Sequence, residues 1–180
     1  MKIKFIIAAW AAMLLSVISY GQARSSIGFG AGINKTLSSN YDTGYGYNMQ
    51  GSIRLSDKFA LVPVLGIEQL KNNTSYIYEG YSRYALTQGI IYFGINGKYY
   101  LSQPWFVRAG TMLYLGTGGG DINTGGFGGN LALGYDLPVS ERSDFEITLR
   151  TDIAQLRSNT NKLTPIIGLR LAYNFNFRAL

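Results

Sequence analysis

The sequence contains no cysteine and no histidine, and these two absences exclude several classes of protein. Without cysteine there is no disulfide framework, no zinc finger and no thiol nucleophile. Without histidine there is no Ser-His-Asp triad and no acid–base chemistry that relies on imidazole. We therefore expect no catalytic residue, no metal site and no cofactor.

Charged residues and proline are also scarce. Charged residues make up 14% of the 180 residues, against about 25% in a typical soluble domain, and there are only four prolines. The formal net charge is +6, but the basic residues form no cluster, so we expect no nucleic-acid binding. Glycine (23 residues), tyrosine (14 residues) and apolar residues (47%) are plentiful instead. This composition departs from that of a soluble domain.

The first segment has the parts of a secretory signal peptide. Lys2 and Lys4 precede an apolar run from Phe5 to Ile18, and the small residues Gly21 and Ala23 follow. The run is shorter than the ~20 residues that a membrane-spanning helix needs. The sequence thus predicts a signal peptide over residues 1–23, cleaved after Ala23 or alternatively after Gly21, and a mature domain over residues 24–180.

The mature domain is dominated by apolar residues that alternate with glycine or polar residues, which is the pattern of β-strands. Eight segments show this alternation: 27–33, 45–55, 59–67, 91–99, 105–115, 127–135, 145–153 and 167–177. Long links over 36–44, 71–83, 116–125 and 156–164 alternate with shorter links over 56–58, 102–103 and 138–144. Long loops on one side and short turns on the other are typical of outer-membrane barrels, and a tilted strand crosses a bilayer in about 9–11 residues.

These features predict an all-β fold, an eight-stranded antiparallel up-and-down transmembrane β-barrel. Closure would remove the unpaired backbone groups that hydrocarbon cannot hydrate. Aromatic residues near the strand ends suit the membrane interface; they are Tyr45, Tyr47, Tyr99, Tyr100, Trp105, Tyr135, Phe145, Tyr173, Phe175 and Phe177. The alternative is a soluble lipocalin-like barrel or sandwich with apolar side chains turned inward, for which we expect more charged residues.

Charged strand residues of a membrane barrel should point into the lumen, since each costs ~2–4 kcal/mol on the lipid face near the midplane. This rule predicts nine inward charges: Arg54, Glu68, Lys98, Arg108, Asp136, Glu146, Arg150, Asp152 and Arg170. Side chains just fill the interior of an eight-stranded barrel, so we expect opposite charges to pair and hold it shut. The alternative interpretation is a narrow water or ion path that those pairs gate.

The link around residues 71–84 is the most distinctive connection, because it is rich in tyrosine, asparagine and serine, which suit adaptable contacts. Tyr76, Tyr78 and Tyr81 are the candidates for contact with an extracellular ligand, whose identity the sequence does not give. Alternatively, these tyrosines extend the strands and lie at the membrane interface. The glycine-rich segment 116–129 carries neither phosphate-binding motif, so we expect a loop there.

Two stretches resemble the small outer-membrane β-barrel family of the OmpA transmembrane-domain and OmpX type. They are the alternation from Ile167 to Phe177 and the strand start from Phe59 to Pro63 after a tight turn. The resemblance covers the mature domain and implies a location in the cell outer membrane, contact with outer-membrane lipid and insertion by the barrel assembly machinery through the C-terminal strand. In this family the last strand usually ends in an aromatic residue, whereas three residues follow Phe177 here.

The resemblance and the strand count leave two functional hypotheses. The first is a structural or surface-interaction role for a barrel with a polar, charge-paired interior. The alternative is a narrow porin-like channel for small ions or solutes; a wide channel takes about 16–18 strands. Small barrel enzymes that resemble this scaffold use a histidine, which this chain lacks.

Overall fold

The computed structural model describes residues 25–37, 42–71, 77–78, 81–82, 87–117, 125–155 and 163–177. The predicted signal peptide lies outside these ranges, so it stays a prediction. Within them, no helix is long and apolar enough to cross a membrane.

All regular structure in the described residues is β-strand. The strands are β1 (Ser25–Thr36), β2 (Gly44–Arg54), β3 (Phe59–Lys71), β4 (Ile77–Tyr78), β5 (Tyr81–Ser82), β6 (Thr87–Ser102), β7 (Trp105–Thr117), β8 (Gly125–Ser140), β9 (Ser143–Gln155) and β10 (Leu163–Phe177). The eight predicted strands are confirmed, and each has at least 11 residues. The short strands β4 and β5 pair only with each other, within the link that the sequence predicted to be a loop.

The eight long strands form one closed barrel in the order β1-β10-β9-β8-β7-β6-β3-β2, and every neighbouring pair is antiparallel. Closure is made by β1 and β10, whose register runs from Ser25 opposite Phe177 to Thr36 opposite Ile166. Each of these eight strands therefore has two hydrogen-bonded neighbours, and the barrel sheet has no free edge. The predicted fold class is confirmed.

The two ends of the barrel differ in their connections. One end, called the turn end here, carries the tight connections at 55–58, 103–104 and 141–142; the other, the loop end, carries those at 37–43, 72–86, 118–124 and 156–162. The predicted link 138–144 is shorter than expected, because Pro138 lies opposite Asp144 within the ladder and Ser140 lies opposite Ser143. A register shift between Pro138 and Ser140 accommodates the proline, which strands tolerate at such irregularities.

Side chains alternate between the lumen and the outside along the strands, except near the register shifts at the turn end. The outward face of every barrel strand carries large exposed apolar residues, among them Phe29, Met49, Leu65, Phe93, Leu115, Leu131, Leu149 and Leu171. A soluble monomer rarely exposes so large an apolar surface, whereas a membrane barrel presents an apolar outer band to lipid. The inward face carries polar and charged residues, glycines, a few aromatic rings and a smaller set of aliphatic side chains.

The predicted interfacial aromatic residues lie on the outward face, with one exception. Around the turn end, Trp105 packs against Tyr135 with ring centroids 5.0 Å apart, and Phe145 packs against Tyr173 at 5.4 Å. The exception is Tyr100, for which the predicted interface position is wrong. It directly follows the exposed Tyr99 along β6, so the alternation turns its ring into the lumen.

Candidate functional site

The inward charges of the barrel form two groups. The turn-side quartet consists of Lys98, Arg108, Asp136 and Glu146, and the loop-side quartet consists of Glu68, Arg150, Asp152 and Arg170. Each quartet contains two cations and two anions. The ninth predicted residue, Arg54, lies outside both quartets at the turn end, where its guanidinium donates to the Asp57 carbonyl oxygen at 3.0 Å.

The turn-side quartet is built on four neighbouring strands, β6 to β9. Like charges lie directly opposite each other in the ladder, Lys98 opposite Arg108 and Asp136 opposite Glu146. The Lys98 ammonium lies 2.8 Å from a carboxylate oxygen of Asp136 and 2.9 Å from one of Glu146, and Arg108 lies 3.0 Å from Glu146. The two anions thus neutralise the two cations. Either like-charged pair without the other would destabilise the barrel, because its charges would be buried without partners.

The loop-side quartet joins opposite walls of the barrel. Glu68 comes from β3, which shares no hydrogen-bonded edge with the strands of Arg150 and Arg170, β9 and β10. Glu68 pairs with Arg170 and lies 3.6 Å from Arg150, and Arg150 also pairs with Asp152. These four side chains are each no more than 5% exposed. The two pairs of Glu68 therefore span the lumen, whereas the Arg150–Asp152 pair lies along β9.

Neutral polar side chains complete the loop-side quartet. The Arg150 guanidinium donates to the Tyr92 hydroxyl at 3.0 Å. Asp152 accepts from the Tyr114 hydroxyl at 3.1 Å and from the Asn130 amide at 2.8 Å. Such partners stabilise a buried charge by satisfying part of its remaining hydrogen-bonding capacity. The Nε atoms of Arg150 and Arg170 are buried without a hydrogen-bond partner among the described residues.

Amide side chains play the same part on the turn side. Gln50 donates to Glu146 at 3.1 Å and to Asn174 at 3.0 Å, and it accepts from Arg108 at 3.2 Å. Asn174 in turn donates to Asp144 at 2.8 Å. The sequence prediction missed these residues because it considered charged strand residues only, and Asp144 lay in a predicted turn. Their inward register was nevertheless readable from the alternation.

An apolar layer separates the loop-side quartet from the loop end. Leu70, Ile90 and Ile166 lie nearer the loop end than the loop-side quartet does. Each of them is nevertheless 2% exposed or less. Tyr92 and Tyr114 belong to the same buried cluster. The loop-side quartet is therefore covered mainly by apolar side chains, with the buried Thr36 opposite Ile166.

The turn end is different, because a polar cavity of about 150 Å³ opens there. Gln50, Ser52, Lys98, Asp136 and Glu146 are among its lining residues. The Asp136 side chain is 17% exposed, against 3% for Glu146. Water from the turn end therefore reaches the turn-side quartet at Asp136.

The tyrosine-rich link contributes only a backbone arrangement. Tyr78 lies opposite Tyr81 in the β4–β5 sheet, and Tyr76 lies outside the described residues. Their role as contact residues stays a prediction. No group of three or more metal-ligating residues occurs in the part of the chain that the structure describes.

Sequence comparison and structural comparison give different results. No family model and no curated protein sequence matches the chain. The structure is similar to that of Neisserial surface protein A, with a TM-score of 0.57 and 17% identity over 85% of this chain and 97% of that one. It is also similar to OprG from Pseudomonas aeruginosa (0.59, 10% identity, 87% and 97% covered) and to AlkL in lipid bilayers (0.55, 11%, 89% and 92%).

Identities this low establish the fold alone. The chain has the closed-barrel fold of the small outer-membrane proteins, as the sequence resemblance implied. An apolar outer face and a polar interior, as found here, are the arrangement that a transmembrane β-barrel requires.

Proposed function

We propose that this chain, which has the fold of the small outer-membrane barrels, is an integral outer-membrane protein with a closed, non-conducting barrel. In this role the barrel anchors the loop-end connections at the cell surface for a structural or surface-interaction task. The observation that carries the proposal is the filled lumen: two neutral quartets and an apolar layer follow one another along the barrel axis.

The energetics of the quartets support a closed barrel. A conducting path past the loop-side quartet requires the Glu68 pairs to separate, because they cross the lumen. Leaving a buried charge without its partner costs about 3–5 kcal/mol. The apolar layer of Leu70, Ile90 and Ile166 adds a dry barrier above it. Hydrophobic constrictions of this kind close pores by dewetting.

The second candidate is the narrow channel for small ions or solutes. The turn-end cavity favours it, because this cavity brings water as far as Asp136. The turn-end half of a permeation path through the lumen is thus already polar. The other half requires a rearranged loop-side quartet and a displaced apolar layer.

Insertion through the last strand belongs to the same proposal. The outward rings of Phe175 and Phe177 pack 5.4 Å apart at the end of β10. β10 also pairs with β1 along its whole length to close the barrel. We therefore assign to β10 the contact with the barrel assembly machinery.

Single-channel recording tests the proposed function. The chain over residues 24–180 is refolded and added to a planar bilayer, and heat-modifiable gel mobility reports whether it has folded. We expect folded protein without steady openings. Steady openings that change in the variant Asp152→Asn would instead support the channel.

A further inference from the structure

The outward face of the barrel carries very few charges. Among the described strand residues, only Lys35 of β1 and Lys71 of β3 are charged and point outward, and both are exposed. All other charged residues of these strands point into the lumen. Both outward charges are cations, and both lie at the loop end of their strands. In the outer membrane this end faces the outer leaflet.

The register brings the two lysines to one level. Asn34 lies opposite Gly44, and Tyr45 lies opposite Gln69. By continuation of the same register, Lys35 and Lys71 flank Thr43 on either side. The Asp42 amide donates to the Lys71 carbonyl oxygen at 2.8 Å, which extends this ladder. Two strand spacings separate the lysine Cα atoms by about 10 Å, so their flexible side chains can converge on one anion.

Neither lysine has a side-chain partner among the residues that the structure describes. The exposed charges of the turn end comprise two anions and two cations, Asp57, Lys58, Glu141 and Arg142, whereas the described exposed charges of the loop end are the two lysines and Asp42. Two unpaired cations side by side repel each other unless an anion lies between them. With Asp42 counted, the described exposed charges of the loop end still sum to +1, which favours an anionic ligand at the lysine pair.

An apolar groove lies lower on the same strands, where its nearest lining residues are Ile67, four residues from Lys71, and Phe29, six residues from Lys35. It has a volume of about 440 Å³ and is lined mainly by outward apolar side chains: Phe29, Tyr47, Met49, Leu65, Ile67 and Ile91. Its size is within the range of small-molecule sites, about 300–1,000 Å³. From Lys71 to Leu65, β3 runs six residues, or about 20 Å at ~3.3 Å per residue. With the tilt of a barrel strand, this matches one leaflet of a ~30 Å hydrocarbon core.

We propose that Lys35 and Lys71 bind the phosphate of an anionic lipid of the outer leaflet, with an acyl chain of that lipid in the groove. A lysine ammonium binds phosphate as a compact point charge. Its methylene stem can lie along the apolar rim while the charge stays at the headgroup level. Charge and apolar shape thus favour the same occupant. The proposal rests on the membrane location proposed above.

Native mass spectrometry of the refolded chain in detergent micelles tests this site. The micelles are titrated with phosphatidic acid or with phosphatidylcholine of the same chain length, and the fraction of protein with one bound lipid is measured. A lysine near an anionic lipid contributes about fivefold in affinity. We therefore expect a preference for phosphatidic acid of roughly five- to twentyfold, which Lys35→Gln/Lys71→Gln abolishes.

A matched control removes two cations at the other end of the barrel. Lys58→Gln/Arg142→Gln has the same net charge as the lysine-pair variant, and it should retain the preference. Equal binding of both lipids by folded wild-type protein would overturn the proposal, as would an equal loss in the control variant. Heat-modifiable gel mobility separates these results from a failure to form the membrane barrel, which would contradict the proposed function instead.

A second variant tests the groove without touching a charge. Met49→Trp fills the groove with a larger apolar side chain and should weaken phosphatidic acid binding. Glycerol 3-phosphate, the soluble headgroup, should not displace the lipid at equal concentration. Displacement by this headgroup, or unchanged binding in Met49→Trp, would contradict the lipid assignment.

Discussion

The two quartets have the same charge balance but different access to water. The turn-side quartet has a partly exposed member, Asp136, next to a polar cavity. The loop-side quartet is buried throughout and lies beneath Leu70, Ile90 and Ile166. A charge that water can reach has a substitute partner when its own is removed, whereas a sealed charge has none. The same substitution should therefore have different effects in the two halves.

The two quartets also differ in one of their two cations. On the sealed side, one guanidinium, that of Arg150, contacts Glu68, Asp152 and Tyr92. A planar guanidinium with five donors suits buried pairs, whereas a strongly hydrated ammonium suits a wet site. The turn-side quartet combines one guanidinium, that of Arg108, with the ammonium of Lys98. The Lys98 side chain is only 4% exposed, contacts two carboxylates and lies 3.7 Å from the centre of the Phe106 ring.

The largest difference is expected when one cation is removed from each half. Arg150→Met leaves Glu68 and Asp152 with one cation in a sealed space, so we expect a loss of about 3–5 kcal/mol in the free energy of unfolding. Lys98→Met should lose roughly half as much, because water reaches Asp136. Urea unfolding in lipid vesicles, followed by intrinsic fluorescence, measures both. Equal losses would contradict the difference in water access.

A cation introduced at the position next to Arg150 tests whether the quartets lie inside the barrel. Leu149 is outward, next to the inward Arg150. Leu149→Arg places a cation in the apolar band and should destabilise the barrel by ~2–4 kcal/mol. Leu149→Met, the control, should have little effect. Gel mobility after refolding would contradict the assignment of faces if Leu149→Arg folded as well as the control.

A more closely matched comparison of the two quartets removes one tyrosine hydroxyl next to each of them. Tyr114 donates to Asp152 on the loop side, and Tyr100 donates to Asp136 on the turn side at 3.0 Å. A hydrogen bond to a charged group contributes about 1.5–3 kcal/mol when it is buried, so Tyr114→Phe should lose that amount. Tyr100→Phe should lose less, since water can replace its hydroxyl. A larger loss in Tyr100→Phe would reverse the comparison.

Glycines under aromatic rings should give the smallest effects, and similar ones in both halves. A Cβ atom on Gly66 would overlap the Tyr92 ring, and one on Gly134 would overlap the Phe106 ring. Alanine at either position should cost about 1–3 kcal/mol. Gly129 is outward with nothing closer than 3.8 Å to such a Cβ, so Gly129→Ala should stabilise by roughly 0.5–1 kcal/mol. The free energy of urea unfolding is measured for all three variants. Equal changes in the three would contradict the contacts described between these glycines and the rings.

The fold was predictable because the bilayer imposes one rule on every strand. A strand with lipid on one side and a filled lumen on the other must alternate along its whole length. That rule predicts an inward Arg170 and an outward Leu169 and Leu171 without any knowledge of the strand pairing. The same rule applied to the Tyr99–Tyr100 dipeptide would have corrected the position predicted for Tyr100.

The pairing of the charges was not predictable from local pattern. Glu68 meets Arg150 and Arg170 only because barrel closure and stagger place β3 across the lumen from β9 and β10. Those partners are 82 and 102 residues away along the chain. Pro138 misled the prediction in another way, because proline indicates a turn unless a ladder irregularity accommodates it.

The most direct test of the account compares water access at the two ends of the lumen. The chain has no cysteine, so Ser52→Cys, at the turn-end cavity, and Ile166→Cys, in the apolar layer, each carry a single thiol. A water-soluble maleimide is added to the folded variants, and the labelling rates are measured. An opening step of about 1.4 kcal/mol slows labelling about tenfold, so Ser52→Cys should react at least that much faster. Equal rates, or faster labelling of Ile166→Cys, would contradict a lumen that is sealed at the loop end and wet at the turn end.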